Sequence, residues 1–127
     1  MREEYIDELR SLCEYDFVDG IYEGNGLFKA QGTSFQVEDF GMVPDGTTYI
    51  GCFENDRANG KGEQKTPDGL IYVGEFQDNF YHGQGHWTFP DSTIYIGEFA
   101  HSLPNGIGEM KFKDGFYYKG EYKNGYY

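Results

Sequence analysis

The chain has 127 residues, enough for one domain, and a formal net charge of −12. That charge argues against nucleic acid, which is bound by Lys and Arg neutralising phosphates, and against simple electrostatic attachment to an anionic membrane. Leu, Ile, Val and Phe together number 27, whereas aromatic residues make up 19% of the chain. The apolar area is therefore supplied by flat rings, which suits a thin sheet better than a thick core.

Residues 2–14 read as a short amphipathic helix, with Tyr5, Leu9 and Leu12 at i, i+4, i+7 and with Ile6 and Cys13 extending the stripe. A helix this short is marginal alone, so it folds by packing on something. It reads as a cap on the first sheet edge, as a partner-binding or oligomerising helix, or as a disordered leader. Cys13 and Cys52 lie far apart in no metal-like spacing and are expected to be small apolar fillers in a reducing compartment. No apolar run follows Met1-Arg2-Glu3-Glu4, and nothing approaches the roughly 20 apolar residues of a membrane span. A cytoplasmic setting is the expectation.

Residues 17–44 read as a degenerate first repeat with an insert. Phe17 to Gly26 aligns with Phe76 to Gly85, which places a turn within residues 18–22, around Asp19-Gly20. Phe35 and Phe40 stand in for motif aromatics with slipped spacing, so an irregular hairpin or loop is expected. From residue 45 to 127 the register is clean. Asp45, Asp68, Asp91 and Asp114 fall 23 residues apart, and Tyr49/Tyr72/Tyr95/Tyr118, Gly51/Gly74/Gly97/Gly120 and Phe53/Phe76/Phe99/Tyr122 keep the same period. A fixed period of this kind marks a repeat array, which offers a long surface rather than a single pocket.

Within one unit, Asp68-Gly69 is a hairpin-turn dipeptide. Leu70 to Phe76 alternates as a strand, residues 77–81 form a second turn, and Gly83 to Phe89 returns. Roughly nine strands would give a ribbon about 40 Å long. Period two places Tyr72, Gly74 and Phe76 on one face with Gly85 and Trp87, opposite Ile71, Val73 and Glu75. Glycine beside the aromatics leaves room for rings to lie flat on the neighbouring backbone.

The motif Tyr72-Val73-Gly74-Glu75-Phe76, repeated as Tyr95-Ile96-Gly97-Glu98-Phe99 and Tyr118-Lys119-Gly120-Glu121-Tyr122, with Gly83-x-Gly85 and Gly106-x-Gly108 behind, resembles the MORN repeat family. The resemblance implies an all-β fold: an elongated single-layer antiparallel sheet of 23-residue hairpins, here preceded by a helical cap at 1–16. It also implies a groove lined by the aromatics, and a scaffold or adaptor role, often beside cytoskeletal or axonemal proteins or membrane junctions. The motif itself carries no catalytic residue. Cys52 departs from it where Glu is expected, as do Asn79, Ser92 and the Ala100–Pro104 turn. The last unit ends before a closing Gly-x-Gly.

The Gly-x-Gly segments open no helix and so make no phosphate site. His82 and His86 fall in a strand, His101 is remote, and Asp56-x-x-Asn59-Gly60 falls short of a calcium loop. No nucleophile–base arrangement is visible. Neither enzyme activity, cofactor nor metal is therefore expected. The row Glu75, Glu98, Glu121 reads as hydrogen-bonded partners of hairpin backbone, as a solvated row, or as a reader of a basic ligand. The expected partner-binding surface comprises Tyr49, Phe53, Tyr72, Phe76, Trp87, Tyr95, Phe99, Tyr118 and Tyr122 with those three glutamates. It would hold an extended or helical segment of a basic protein partner. Plain intramolecular packing of the rings is the competing reading. The alternative roles are self-association through the terminal strands or the helix, or an accessory or membrane-proximal module of a larger protein.

Overall fold

A computed structural model describes residues 2–14, 16–23, 27–30, 33–36, 44–55 and 57–126. Gly24–Gly26, Phe40 and Asp56, singled out above, lie outside the described residues, as do the side chains of Tyr5 and Phe35. The N-terminal helix α1 (Arg2–Ser11) is followed by β1 (Asp16–Glu23), β2 (Leu27–Ala30), β3 (Thr33–Gln36), β4 (Thr48–Glu54), β5 (Arg57–Lys65), β6 (Ile71–Gln77), β7 (Phe80–Thr88), β8 (Ile94–Ala100), β9 (Leu103–Lys111) and β10 (Tyr117–Tyr122). The described strands form one antiparallel sheet in the order β10-β9-β8-β7-β6-β5-β4-β1-β2-β3.

From β4 onward the sheet is the expected meander. Before β4 it differs. β1 runs straight through Asp19-Gly20, where the repeat alignment places a turn, and pairs with β4 from Asp16↔Phe53 to Ile21↔Thr48. The β2–β3 hairpin hangs outside β1. The register shows why the alignment misleads: β1 occupies the place of a returning strand, with Val18 opposite Gly51 where later units put glycine opposite glycine.

That glycine pairing runs across seven strands as Gly51↔Gly62↔Gly74↔Gly85↔Gly97↔Gly108↔Gly120. On one face the row is roofed by tyrosines. A Cβ added at Gly85 would stand 2.5 Å from Cε1 of Tyr72, so only hydrogen fits beneath that ring. Gly62 and Gly108 lie in the same way under Tyr49 and Tyr95. Each ring is pinned at its far end, because Tyr49, Tyr72 and Tyr95 donate hydroxyl hydrogen bonds of 2.8, 2.7 and 2.9 Å to the carbonyls of Cys52, Glu75 and Glu98. Phenylalanines meet the rings edge-on, as in Tyr72–Phe76 (5.1 Å, 82°) and Tyr95–Phe99 (5.0 Å, 89°), the geometry the ring quadrupole favours. The core is thus a single file of rings on one face of one sheet, reaching from Tyr22 and Phe28 to Tyr122.

The turns are tighter than the sequence suggests. Only Asp78-Asn79 separates β6 from β7, and the atypical His101-Ser102 makes the same connection between β8 and β9, all four residues having positive φ. Neighbouring turns are stitched together: Asn79 Oδ1 accepts from the Ala58 N–H (2.7 Å) and Ser102 Oγ from the Tyr81 N–H (3.1 Å). A bond from the turn's own side chain to backbone 21 residues away thus offsets the cost of a left-handed turn without glycine.

Candidate functional site

The ring file decides what the aromatic face can offer. Tyr49, Tyr72 and Tyr95 are 0–1% exposed, and Phe53, Phe76, Phe99 and Tyr122 are 2–4% exposed. Burial pushes the phenols of Tyr81 and Tyr95 up to about 12, and those of Tyr22 and Tyr72 further in the same direction. Of the nine rings expected along a groove, seven are consumed by packing against each other and the glycine row. Trp87 and Tyr118, half-buried at the rim of the cluster, keep an accessible edge.

The glutamate row divides. In each regular hairpin a β-bulge falls between the motif glycine and phenylalanine, at Gly51/Phe53, Gly74/Phe76 and Gly97/Phe99. The residue in that bulge is Cys52, Glu75 or Glu98. Glu75 accepts the Gln84 N–H (3.1 Å) and Glu98 the Ile107 N–H (2.6 Å), each closing the gap the bulge opens in the ladder. Gly83, at φ +66°, leaves room for the Glu75 carboxylate, which a Cβ there would approach to 3.1 Å. Two of the three glutamates are therefore fasteners of hairpin backbone. Glu121 is exposed.

Cys52 does something different in the same bulge. It is bonded to Cys13, which corrects the expectation that the two cysteines are separate apolar fillers. Spacing along the chain hides the pairing, because the β1 excursion carries the end of α1 back over β4. The bond fastens α1 to the face opposite the rings, where α1 packs on β4 and Leu9, Ile50 and Cys52 are 4–5% exposed.

Beyond the helix that plain face exposes aliphatic side chains. Val73, Ile96 and Ile107 are 37%, 46% and 58% exposed, and Leu12, at the end of α1, is 57% exposed. Helix and sheet enclose an open groove of about 440 Å³, floored by Gly62, Gly74 and Gly85 and walled by Leu12, Val73, His86 and Ile96. Sequence reasoning sorted Val73 to this face but did not single it out; the signal was its place 23 residues after Ile50 and 23 before Ile96.

The MORN repeat model matches the chain three times, over residues 49–71, 72–94 and 95–116. These boundaries fall on Tyr49, Tyr72 and Tyr95, the tyrosines that roof the glycine row.

The chain belongs to the MORN repeat family.

No curated protein matches it beyond that. MORN repeats are in general modules for interaction with proteins or membranes and are not enzymes. In this MORN chain the motif residues are thereby accounted for structurally: Tyr roofs, Gly floors, Glu fastens and Phe fills.

Proposed function

We propose that this MORN chain is a non-catalytic adaptor that holds a segment of a protein partner along its sheet. The observation that carries the reading is the asymmetry of a single-layer sheet: one face is spent on its own core, while the other exposes aliphatic side chains over a glycine floor. An array with one face free has a long surface to lend. The net charge of −12 favours a basic partner and disfavours an anionic lipid surface. A cytoskeletal or axonemal partner fits what the family resemblance implies, although the Cys13–Cys52 bond removes the cysteine argument for a reducing compartment.

Affinity capture from a cytosolic extract at physiological salt, with mass spectrometry of the retained proteins, tests this. One near-stoichiometric partner, weakened by Glu75→Lys with Glu98→Lys in a protein that keeps its circular dichroism, is the expected result. Retention of the bait alone overturns it.

Self-association is the second reading. Among the described residues no strand covers the outer edge of β10, and the flanking Phe116, Tyr117 and Tyr126 are 74%, 63% and 79% exposed. An uncovered edge is a template for pairing. A mass in light scattering that stays monomeric at every concentration removes this reading.

A further inference from the structure

The two cysteines of the chain are bonded to each other, across the boundary between the helix and the sheet. A disulfide in a small domain commonly staples a core that cannot hold itself. The array does not need this one to fold. Its later units keep the same strand pairings with no helix above them: Val73 and Ile96 are 37% and 46% exposed, whereas Ile50, at the equivalent position under α1, is 4% exposed. Cys52 also stands where Glu75 and Glu98 fasten hairpin backbone, so the first unit has exchanged its fastener for a tie to the helix.

The helix, by contrast, depends on that tie. α1 is ten residues long, and among its described side chains only Leu9 is buried. Leu12, just past its end, is 57% exposed, and Arg10 adds one cation–π contact, 4.7 Å from the centre of the Phe17 ring. A helix of this length is marginal in water. One buried leucine and one surface contact fall short of the entropy of ordering ten residues. Docking and bond are therefore linked, each favouring the other by the same factor.

We propose that the Cys13–Cys52 bond is a redox latch. Closed, it holds α1 over β4; opened by a dithiol reductant, it frees α1 and leaves the array folded. Cys13 is half-buried and Cys52 is 4% exposed, so the attacking thiolate meets Sγ of Cys13. The S–S bond breaks, Cys52 leaves as a thiolate and takes up a proton, and the second thiol of the reductant displaces Cys13. The chain gains two thiols and the reductant becomes a disulfide; oxidised glutathione reverses the exchange. Opening takes Glu8, Leu9 and Leu12 away from the groove and extends the exposed aliphatic row from Val73 and Ile96 to Ile50. The latch stands whether or not a partner uses that face, because its readout is the helix itself.

The test holds the whole chain in glutathione buffers of graded ratio, counts thiols by alkylation and mass spectrometry, and reads hydrogen exchange by segment. One reversible two-electron transition is expected. The amides of α1 should lose protection in step with the thiol count, while β4 to β9 keep theirs. Leu9→Asp, which removes the docking contact and leaves both cysteines, should favour the reduced form by about tenfold at a given ratio. Cys13→Ser should leave α1 unprotected at every ratio.

A bond that resists excess dithiothreitol until urea unfolds the sheet would be a staple, and would overturn the proposal. So would an α1 still protected after both cysteines are reduced, a sheet that loses protection together with it, or an unchanged transition in folded Leu9→Asp. Free thiols that persist in oxidised glutathione would remove the latch outright.

Discussion

From Thr48 to Tyr122 this molecule makes the same joint over and over, whereas from Arg2 to Gln36 it makes each joint once. In the regular part a tyrosine lies on the glycine of the next strand, its hydroxyl pins the bulge, and a glutamate restores the hydrogen bond the bulge interrupts. In the first part Val18 ends the glycine row, a short hairpin flanks β1, and a helix is held by a disulfide. The regular region is stable through geometry shared among neighbours, and the irregular one depends on individual contacts. The two should fail differently.

The largest effect belongs to the shared geometry. Gly85→Ala drives a methyl group into the Tyr72 ring and cannot be relieved without moving a file of packed aromatics. A loss of about 3 kcal/mol or more is expected, in the upper range for overpacking, seen as a shifted urea midpoint. An alanine tolerated there would mean that the ring file repacks and that the joints are not rigid.

Next comes the single covalent contact. Cys13 and Cys52 close a loop with a sequence separation of 39, for which chain entropy suggests about 2–4 kcal/mol. Cys13→Ser, or reduction of the native chain, should release the amides of α1 to exchange while β6 to β9 keep their protection. Hydrogen exchange read segment by segment checks this. Loss of protection across the whole sheet would erase the distinction between the regions.

The smallest effect separates two glutamates of one row. Glu98→Ala leaves the Ile107 N–H without its 2.6 Å acceptor and should cost about 1 kcal/mol. Glu121→Ala, at an exposed position, should cost a few tenths at most. Equal thermal shifts for the two would show that the bulge does not need its fastener.

The sequence made the regular region legible because its physics is periodic. Tyr72, Gly74 and Phe76 lie on the face that alternation assigns them, and the hairpin boundaries differ from expectation by a few residues at Asp78-Asn79. The glutamates' bond to hairpin backbone was one of three readings, and the structure selects it for Glu75 and Glu98. The role of the rings was less legible: the glycines beside them signalled that they could lie flat, but not whether a flat ring still offers an edge to a partner. The Cys13–Cys52 bond was hidden for another reason. It depends on β1 pairing with β4 across an intervening hairpin, a long-range event with no periodic signature.

The joint between units has a consequence for how such a chain can change over generations. Ile71 precedes Tyr72 as Ile94 precedes Tyr95, and the strands that follow present the same glycine to the strand before. Excising residues 72–94 would set Tyr95 where Tyr72 had been, with its own roof over Gly108 and Gly97 opposite Gly62. Copy number can therefore drift by whole units without a compensating mutation anywhere in the core. The first unit is the exception, because its cysteine has committed it to the helix.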